Sequence, residues 1–386
     1  MNNVESALPP APAPPLNPGP SLDKARSLAA AGQWRLTWRR FRRHRLAMIC
    51  GVIILLSYLV AAFAEFFATT DPNRPSAQVS LVPPQQIHWF DDGALRPYVN
   101  RMERKRDASF NLVYTPNPAA KIPVTFFAHG FDWKLFGLIP TDRHLIGVQG
   151  ADAGKTLFVL GTDVQGRDLW SRIVYATRVS LTVGLTGVAM SLALGVLLGG
   201  VSGLYGGVID ECIQRVIEVV RSVPTIPLWM GLAAAVPRDW SVTQVYFSIT
   251  IIISLVSWTE LARVVRGRFL ALREEDFIVS AELDGCSKLR IIFRHMVPSF
   301  LSHIIAVTTL TLPVMVLSET ALSFLGLGLR PPAISWGVLL QAAQNVQAVA
   351  VTPWLLLPAV PVIVAVLAFN FLGDGLRDAA DPYARA

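Results

Sequence analysis

The run VSLTVGLTGVAMSLALGVLLGGVSGLYGGVI, Val179 to Ile209, holds no charged side chain. Crossing the hydrocarbon core of a bilayer takes roughly 20 apolar residues as helix, so this run exceeds the requirement. Working outward from it, Leu46 to Ala64, Ser241 to Thr259, Met296 to Ser318, and the part of Pro331 to Gly373 that follows Thr352 are equally free of charge. Ser222 to Pro237 is shorter and reaches spanning length only by borrowing from the residues before it. There Ile209, Cys212, Ile213, Val216, Ile217 and Val220 recur at helical spacing among Asp210, Glu211, Arg215, Glu218 and Arg221. Pro224 and Pro227 bend the chain where its apolar part begins. The expectation is an all-α polytopic membrane protein with six transmembrane helices.

Composition agrees: 52% of the 386 residues are hydrophobic and 16% charged, whereas a soluble domain carries about a quarter charged. The net charge of +7 does not point to nucleic acid, because Arg35, Arg39, Arg40, Arg42, Arg43 and Arg45 abut the first span, which is how positive-inside topology is written. No small-residue cleavage site follows that span closely, so it reads as an uncleaved anchor. Arg263, Arg266, Arg268, Arg273, Lys288, Arg290 and Arg294 mark the loop between spans four and five as cytoplasmic, while Pro237 to Trp240 and Arg330 to Val351 hold one basic residue each. Both termini are then cytoplasmic.

The chain divides into a Pro- and Ala-rich tail (1–34), a basic flank with the first span (35–68), an insertion outside the membrane (69–178), the core of spans two to six (179–374) with its cytoplasmic loop 264–298, and a short tail (375–386). The insertion is too long for a simple connection and reads as a small mixed subdomain, with strands expected at Pro123 to Phe127 and Thr156 to Leu160. Gly154-Lys155-Thr156 is not a phosphate-binding loop, because only three residues separate it from Gly150 where four are needed. Cys50, Cys212 and Cys286 form no disulfide framework, the six histidines have no metal-ligand spacing, and His303 alone lies in a span. No catalytic residue, metal site or cofactor is expected in this chain.

The cytoplasmic loop contains EDFIVSAELDGCSKLRIIFRHMVP, Glu275 to Pro298. Phe277, Ile278 and Ala281 form one apolar stripe; Leu289, Ile292, Phe293 and Met296 form another. Gly285 allows a tight reversal between them, and Ser287 is placed to cap the second helix. Two helices of about 15 Å each must dock on something to persist.

This loop resembles the coupling loop of ABC-importer permeases, whose pattern is Glu-Ala-Ala, three residues, Gly, nine residues, Ile-x-Leu-Pro. Ala281, Gly285 and Pro298 match it; Val279, Ser280, His295 and Val297 depart. The C-type permeases of the dipeptide, oligopeptide and nickel branch are more similar. Their segments resemble Gly161-Thr162-Asp163-Val164-Gln165-Gly166-Arg167-Asp168, Leu322 to Gly328 with Pro331-Pro332 and Ser335-Trp336-Gly337, and the tail Gly373 to Pro382, and Arg294-His295 also suits that branch. The likeness covers about two-thirds of the chain, roughly 35–67 and 159–383, and the enlarged loop is like that of some peptide permeases.

The resemblance implies a type I importer permease fold in a bacterial inner membrane, paired with a second homologous permease as a heterodimer. It further implies two cytoplasmic ATPase subunits that hold the ATP and magnesium, a periplasmic substrate-binding protein, and peptide cargo. Nickel chelates, opines or sugars remain open as alternatives, as does an ATP-independent secondary transporter, although no internal repeat with broken helices is evident. Phe277, Ile278, Ala281, Gly285, Leu289, Ile292, Phe293, His295 and Pro298 would then contact the ATPase. Glu319, near the end of span five, is the candidate for the translocation path, against a headgroup-level or partner-paired glutamate. Glu260 and Arg263 are spaced to pair, and Gly161 to Asp168 reads as a turn leading into an interfacial helix, where Asp163 can cap and the glycines can turn.

Overall fold

The computed structural model describes residues 33–91, 93–106, 112–135, 137–148, 157–345 and 350–380. The phosphate-loop candidate Gly154 to Thr156 lies outside the described residues, as do the tails 1–32 and 381–386. Helix α1 (Gln33–Arg43) leads into α2 (Arg45–Ala62), and a single turn, α3 (Ala64–Phe67), follows. The remaining helices are α4 (Leu169–Tyr205), α5 (Gly207–Ser222), α6 (Thr225–Ala234), α7 (Val242–Leu272), α8 (Asp276–Leu283), α9 (288–299), α10 (Leu301–Phe324), α11 (Trp336–Gln341) and α12 (Ala359–Ala380).

Among the described residues, five stretches are long and apolar enough to cross a membrane: α2, α4, α7, His303–Phe324 of α10, and Pro353–Ala379, which includes most of α12. The sixth expected span is a broken one. Its halves α5 and α6 meet at 89°, where Pro224 has no amide to continue the helical ladder. Helix α6 is only about 15 Å long, half the thickness of the hydrocarbon core.

Helix α4 begins at Leu169, well before the charge-free run starts at Val179, because Asp168 accepts from the Ser171 amide (2.8 Å) and caps it there. The Asp163 carboxylate instead accepts from the Gln165 and Arg167 amides, so it closes a turn and the expected cap falls to Asp168. Gly195, Gly199 and Gly203 line one face of α4 against α7. A Cβ at Gly199 would lie 2.5 Å from the Ala262 carbonyl oxygen, and one at Gly203 would lie 2.6 Å from Phe269 Cβ. Small residues four apart let two helix backbones approach in a membrane, where packing has to supply the adhesion.

The insertion folds as an antiparallel sheet in the order β1 (Ile87–Asp91), β2 (Ala94–Arg106), β3 (Leu112–Leu135), β4 (Ile139–Val148). The first half of β3 pairs with β2 and the second half with β4. Val99, Ile122, Val124, Val148 and Leu157 form its small core. The expected strand Pro123 to Phe127 is part of β3. The one expected at Thr156 to Leu160 is absent over its described residues, 157–160. There the Phe158 backbone is held by Gln85, whose side-chain oxygen accepts from the Phe158 amide (2.7 Å) and whose own amide donates to the Phe158 carbonyl (3.0 Å).

A polar clasp ties the segment after the first span to the start of α4. Thr69 donates through its amide to Ser171 Oγ (3.0 Å) and through its hydroxyl to Asp168 Oδ2 (2.9 Å). Thr162 Oγ1 donates to the Val79 carbonyl and accepts from the Val82 amide. Gly166, at φ +73°, completes the turn, since a Cβ there would sit 1.9 Å from the Ser76 carbonyl oxygen.

Candidate functional site

The loop between α7 and α10 is a two-helix knob. Helix α8 stops in a glycine-terminated reversal: the Gly285 amide donates to the Glu282 carbonyl (3.0 Å) and the Cys286 amide to the Ala281 carbonyl (3.1 Å). These are the paired bonds of a Schellman motif, which needs the left-handed conformation that Gly285 adopts at φ +75°. Ser287 occupies the cap position of α9, yet its hydroxyl makes no cap bond, so the expected side-chain cap is not formed. Helix α9 widens into a π turn at Ile291–Met296. Pro298 comes two residues later; it has no amide to close an α turn on the Arg294 carbonyl, and the wider turn avoids the clash of its ring.

The knob's two apolar stripes are each divided by burial. Ile278, Ala281, Ile291, Ile292 and Met296 pack into one cluster with Val196, Leu204, Leu261, Val265, Phe269 and Ile304 of the chain's own long helices. Phe277, Leu289 and Phe293 face away from that seat, 44%, 55% and 54% exposed, while Ile278 and Ile292 are 0% exposed. Of the residues expected to meet an ATPase, Ile278, Ala281 and Ile292 therefore anchor the knob to its own bundle. Phe277, Gly285, Leu289, Phe293 and Pro298 are on its open side, and His295 is half-buried. Lys288 pairs with Glu282 across the reversal.

Glu319 is in the interior of the bundle and is 0% exposed. Its carboxylate accepts from the hydroxyls of Ser180 on α4 (3.1 Å) and Ser323 on α10 (2.8 Å). Each hydroxyl has one proton and spends it on Glu319, so its oxygen is left to accept. Ser180 Oγ takes the Trp336 amide (3.1 Å) and Ser323 Oγ takes the Leu329 amide (3.0 Å). The glutamate thus orients two serines that hold the segment between α10 and α11, and it reaches no open surface of this chain in this conformation. Glu260 pairs with Arg221 at the end of α5, not with Arg263 as its spacing suggested. Among the described residues no cluster of three metal-ligating side chains occurs.

The described residues thus form a helical membrane core with an apolar knob at one end of α4 and an insertion at the other. The sequence profile of the binding-protein-dependent transport system inner membrane component family matches residues 195–386, and that of the N-terminal transmembrane domain of oligopeptide transport permease C matches 32–84. The oligopeptide transport system permease protein OppC of Haemophilus influenzae is 37% identical over 254 residues, covering 65% of this chain and 75% of that one. The dipeptide transport system permease protein DppC of Lactococcus lactis is 31% identical over 349 residues, 90% of each. OppC of Bacillus subtilis is 28% identical over 353 residues, covering 91% of this chain and 90% of its own. The chain belongs to the family of binding-protein-dependent transport system inner membrane components, and is a permease subunit of an ABC importer of the C-type branch.

Proposed function

We propose that the chain forms half of a translocation path for peptides delivered by a periplasmic binding protein, paired with a second homologous permease and driven by two separate ATPase subunits. The relatives' names support the cargo. The basic residues ahead of α2 support an inner-membrane protein with cytoplasmic termini. ATP and magnesium belong to the partner subunits, and this chain performs no chemistry of its own.

The observation that carries the reading is the knob's open side. Phe277, Leu289 and Phe293 present an apolar face that the chain's own bundle leaves uncovered, suited to a groove on a partner, as amphipathic helices bind. A rocking ATPase pair that grips this face pushes on α9, and the buried side of the knob passes the push to α7 and α10. The test is a reconstituted complex carrying Leu289→Asp with Phe293→Asp. Cargo-stimulated ATP hydrolysis should fall about tenfold or more, the effect of about 1.4 kcal/mol lost at the interface, with membrane insertion unchanged. Undiminished coupling in that variant overturns the assignment.

A further inference from the structure

The reversal that closes the β3–β4 ribbon is apolar, whereas hairpin turns that face water are built mainly from glycine and small polar residues. Lys134 to Pro140 holds a single charged residue, and it is followed by Leu135, Phe136, Gly137, Leu138 and Ile139. Leu138 is 81% exposed and Ile139 61%. Behind the turn, Trp133 pairs with Thr141, Lys134 with Pro140 and Leu135 with Ile139. Residues directly opposite each other share a face, and faces alternate along a strand. Trp133, Leu135 and Ile139 therefore form one apolar face, while Asp132 and Lys134, both exposed, point the other way. The one polar atom of the Trp133 side chain, Nε1, is satisfied by the Arg143 carbonyl (3.1 Å).

The root of this ribbon is held at the membrane boundary. Glu65 directly follows the charge-free run Leu46 to Ala64, and Arg178 directly precedes the run Val179 to Ile209. The Arg178 guanidinium donates to both Glu65 carboxylate oxygens (2.6 and 2.5 Å), so one ion pair closes two spans at a common level. His144 of β4 reaches the Glu65 carbonyl (2.8 Å), and the ring of Phe127 on β3 is 6.1 Å from that of Phe66. Phe126 and Phe127 are 52% and 59% exposed at this level. From His144 to Ile139 the ribbon extends about 17 Å, at about 3.4 Å per residue. The polar layer of a bilayer is about 5–7 Å thick on each side, so a ribbon rooted in it keeps its tip within reach of lipid.

We propose that the β3–β4 ribbon is a membrane-surface arm, whose tip at Leu138 and Ile139, with Leu135 and Trp133 behind it, dips into the lipid leaflet on the insertion's side. The occupant of the apolar face is a lipid surface because the ribbon continues a surface that already meets lipid, through Phe66, Phe127 and the Glu65–Arg178 pair. The charged side chains near the root suit that depth: His129, Asp142 and Arg143 are next to the Ala128–His144 pair, level with Glu65, where headgroups are polar. Asp132 and Lys134 keep to the water side. An amphipathic element lying in the interface buries its apolar face about 5–10 Å into the headgroup and acyl boundary. The inference needs only a core that spans a bilayer, and holds whatever the cargo and whichever side the insertion faces.

The experiment uses the full chain, with Cys50, Cys212 and Cys286 replaced by alanine, carrying an NBD fluorophore at Leu138→Cys, Ile139→Cys or Lys134→Cys. Each is reconstituted in phosphatidylcholine vesicles with and without lipid bearing a nitroxide near the headgroup. Fluorescence at 138 and 139 should fall about twofold or more with the nitroxide lipid, as burial to about 5–10 Å implies, and at 134 by less than half as much. Because the label is itself apolar, Trp133 tests the arm without one: the tryptophan emission quenched by brominated phosphatidylcholine should be smaller in Trp133→Phe than in the unmodified chain. Unquenched labels at 138 and 139, equal quenching at 134, or an unchanged quenchable emission in Trp133→Phe overturns the arm. Labels that stay open to aqueous iodide until a substrate-binding protein is added assign the tip to a protein partner, and overturn it as well.

Discussion

At one end of α4, Ile278, Ile291, Ile292 and Met296 seat the knob by apolar contact alone. At the other end, Thr69, Asp168 and Ser171, together with Ser180, Glu319 and Ser323, join the elements by hydrogen bonds among buried polar groups. The two kinds of joint respond to displacement differently. Apolar contact is non-directional and scales with the area covered, so a seat of isoleucines can tilt while it stays closed. A buried hydrogen bond fails once its geometry is lost and leaves an unsatisfied group behind. If the knob is the driven end, as proposed, the push would arrive at a compliant joint and meet a rigid one.

The largest effect that can break this comparison is at Glu319. Glu319→Ala removes the acceptor of two serine hydroxyls in a closed site, and each buried donor left unsatisfied costs about 1–3 kcal/mol, so a loss of about 4 kcal/mol is expected. Glu319→Gln keeps one acceptor oxygen and should lose less than half as much. Thermal unfolding of the purified chain separates the two variants, and equal destabilisation by both would mean that the carboxylate only fills space. Next in size is Ile292→Ala in the apolar seat, with an expected cost of about 2–3 kcal/mol from lost burial and the cavity left behind. Its neighbour Phe293→Ala should leave stability nearly unchanged, because that side chain is 54% exposed. A similar cost at both positions would erase the division between the seated and open sides.

The charge-free runs located the five long spans found among the described residues because a bilayer imposes the same length on each. They misplaced the start of α4, where hydrogen bonding at Asp168 and not apolarity decides the boundary. The strand expected at Thr156 to Leu160 is, over its described residues 157–160, an apolar run without a ladder partner, since Gln85 holds the Phe158 backbone by a side chain and a single backbone bond. Sequence spacing located the knob and its hinge, but periodicity alone does not say which side of so short a helix is covered. Burial against α7 and α10 is a long-range fact, and it split Phe277 from Ile278 and Phe293 from Ile292. The pairing of α4 with α7 does leave a signal in the sequence, Gly195, Gly199 and Gly203 four residues apart.

The smallest expected effect probes the hinge itself. Gly285 has nothing within 4 Å of where a Cβ would be, so Gly285→Ala creates no clash and its whole cost is conformational. An alanine in the left-handed region loses roughly 1–2 kcal/mol relative to glycine, about 1 of which should survive in the folded chain as the terminus of α8 relaxes. The loss is local: hydrogen exchange at the Gly285 and Cys286 amides should speed up about fivefold to tenfold, as about 1 kcal/mol or slightly more implies, with the seat around Ile292 still protected. Transport-coupled ATP hydrolysis should fall in the same variant if the open side transmits force, because Phe277 and Leu289 are on opposite sides of that hinge. Faster exchange at the hinge with undiminished coupling would show that the seated half of the knob alone carries the push, and that the reversal at Gly285 adds nothing to the compliant joint formed by the isoleucines beneath it.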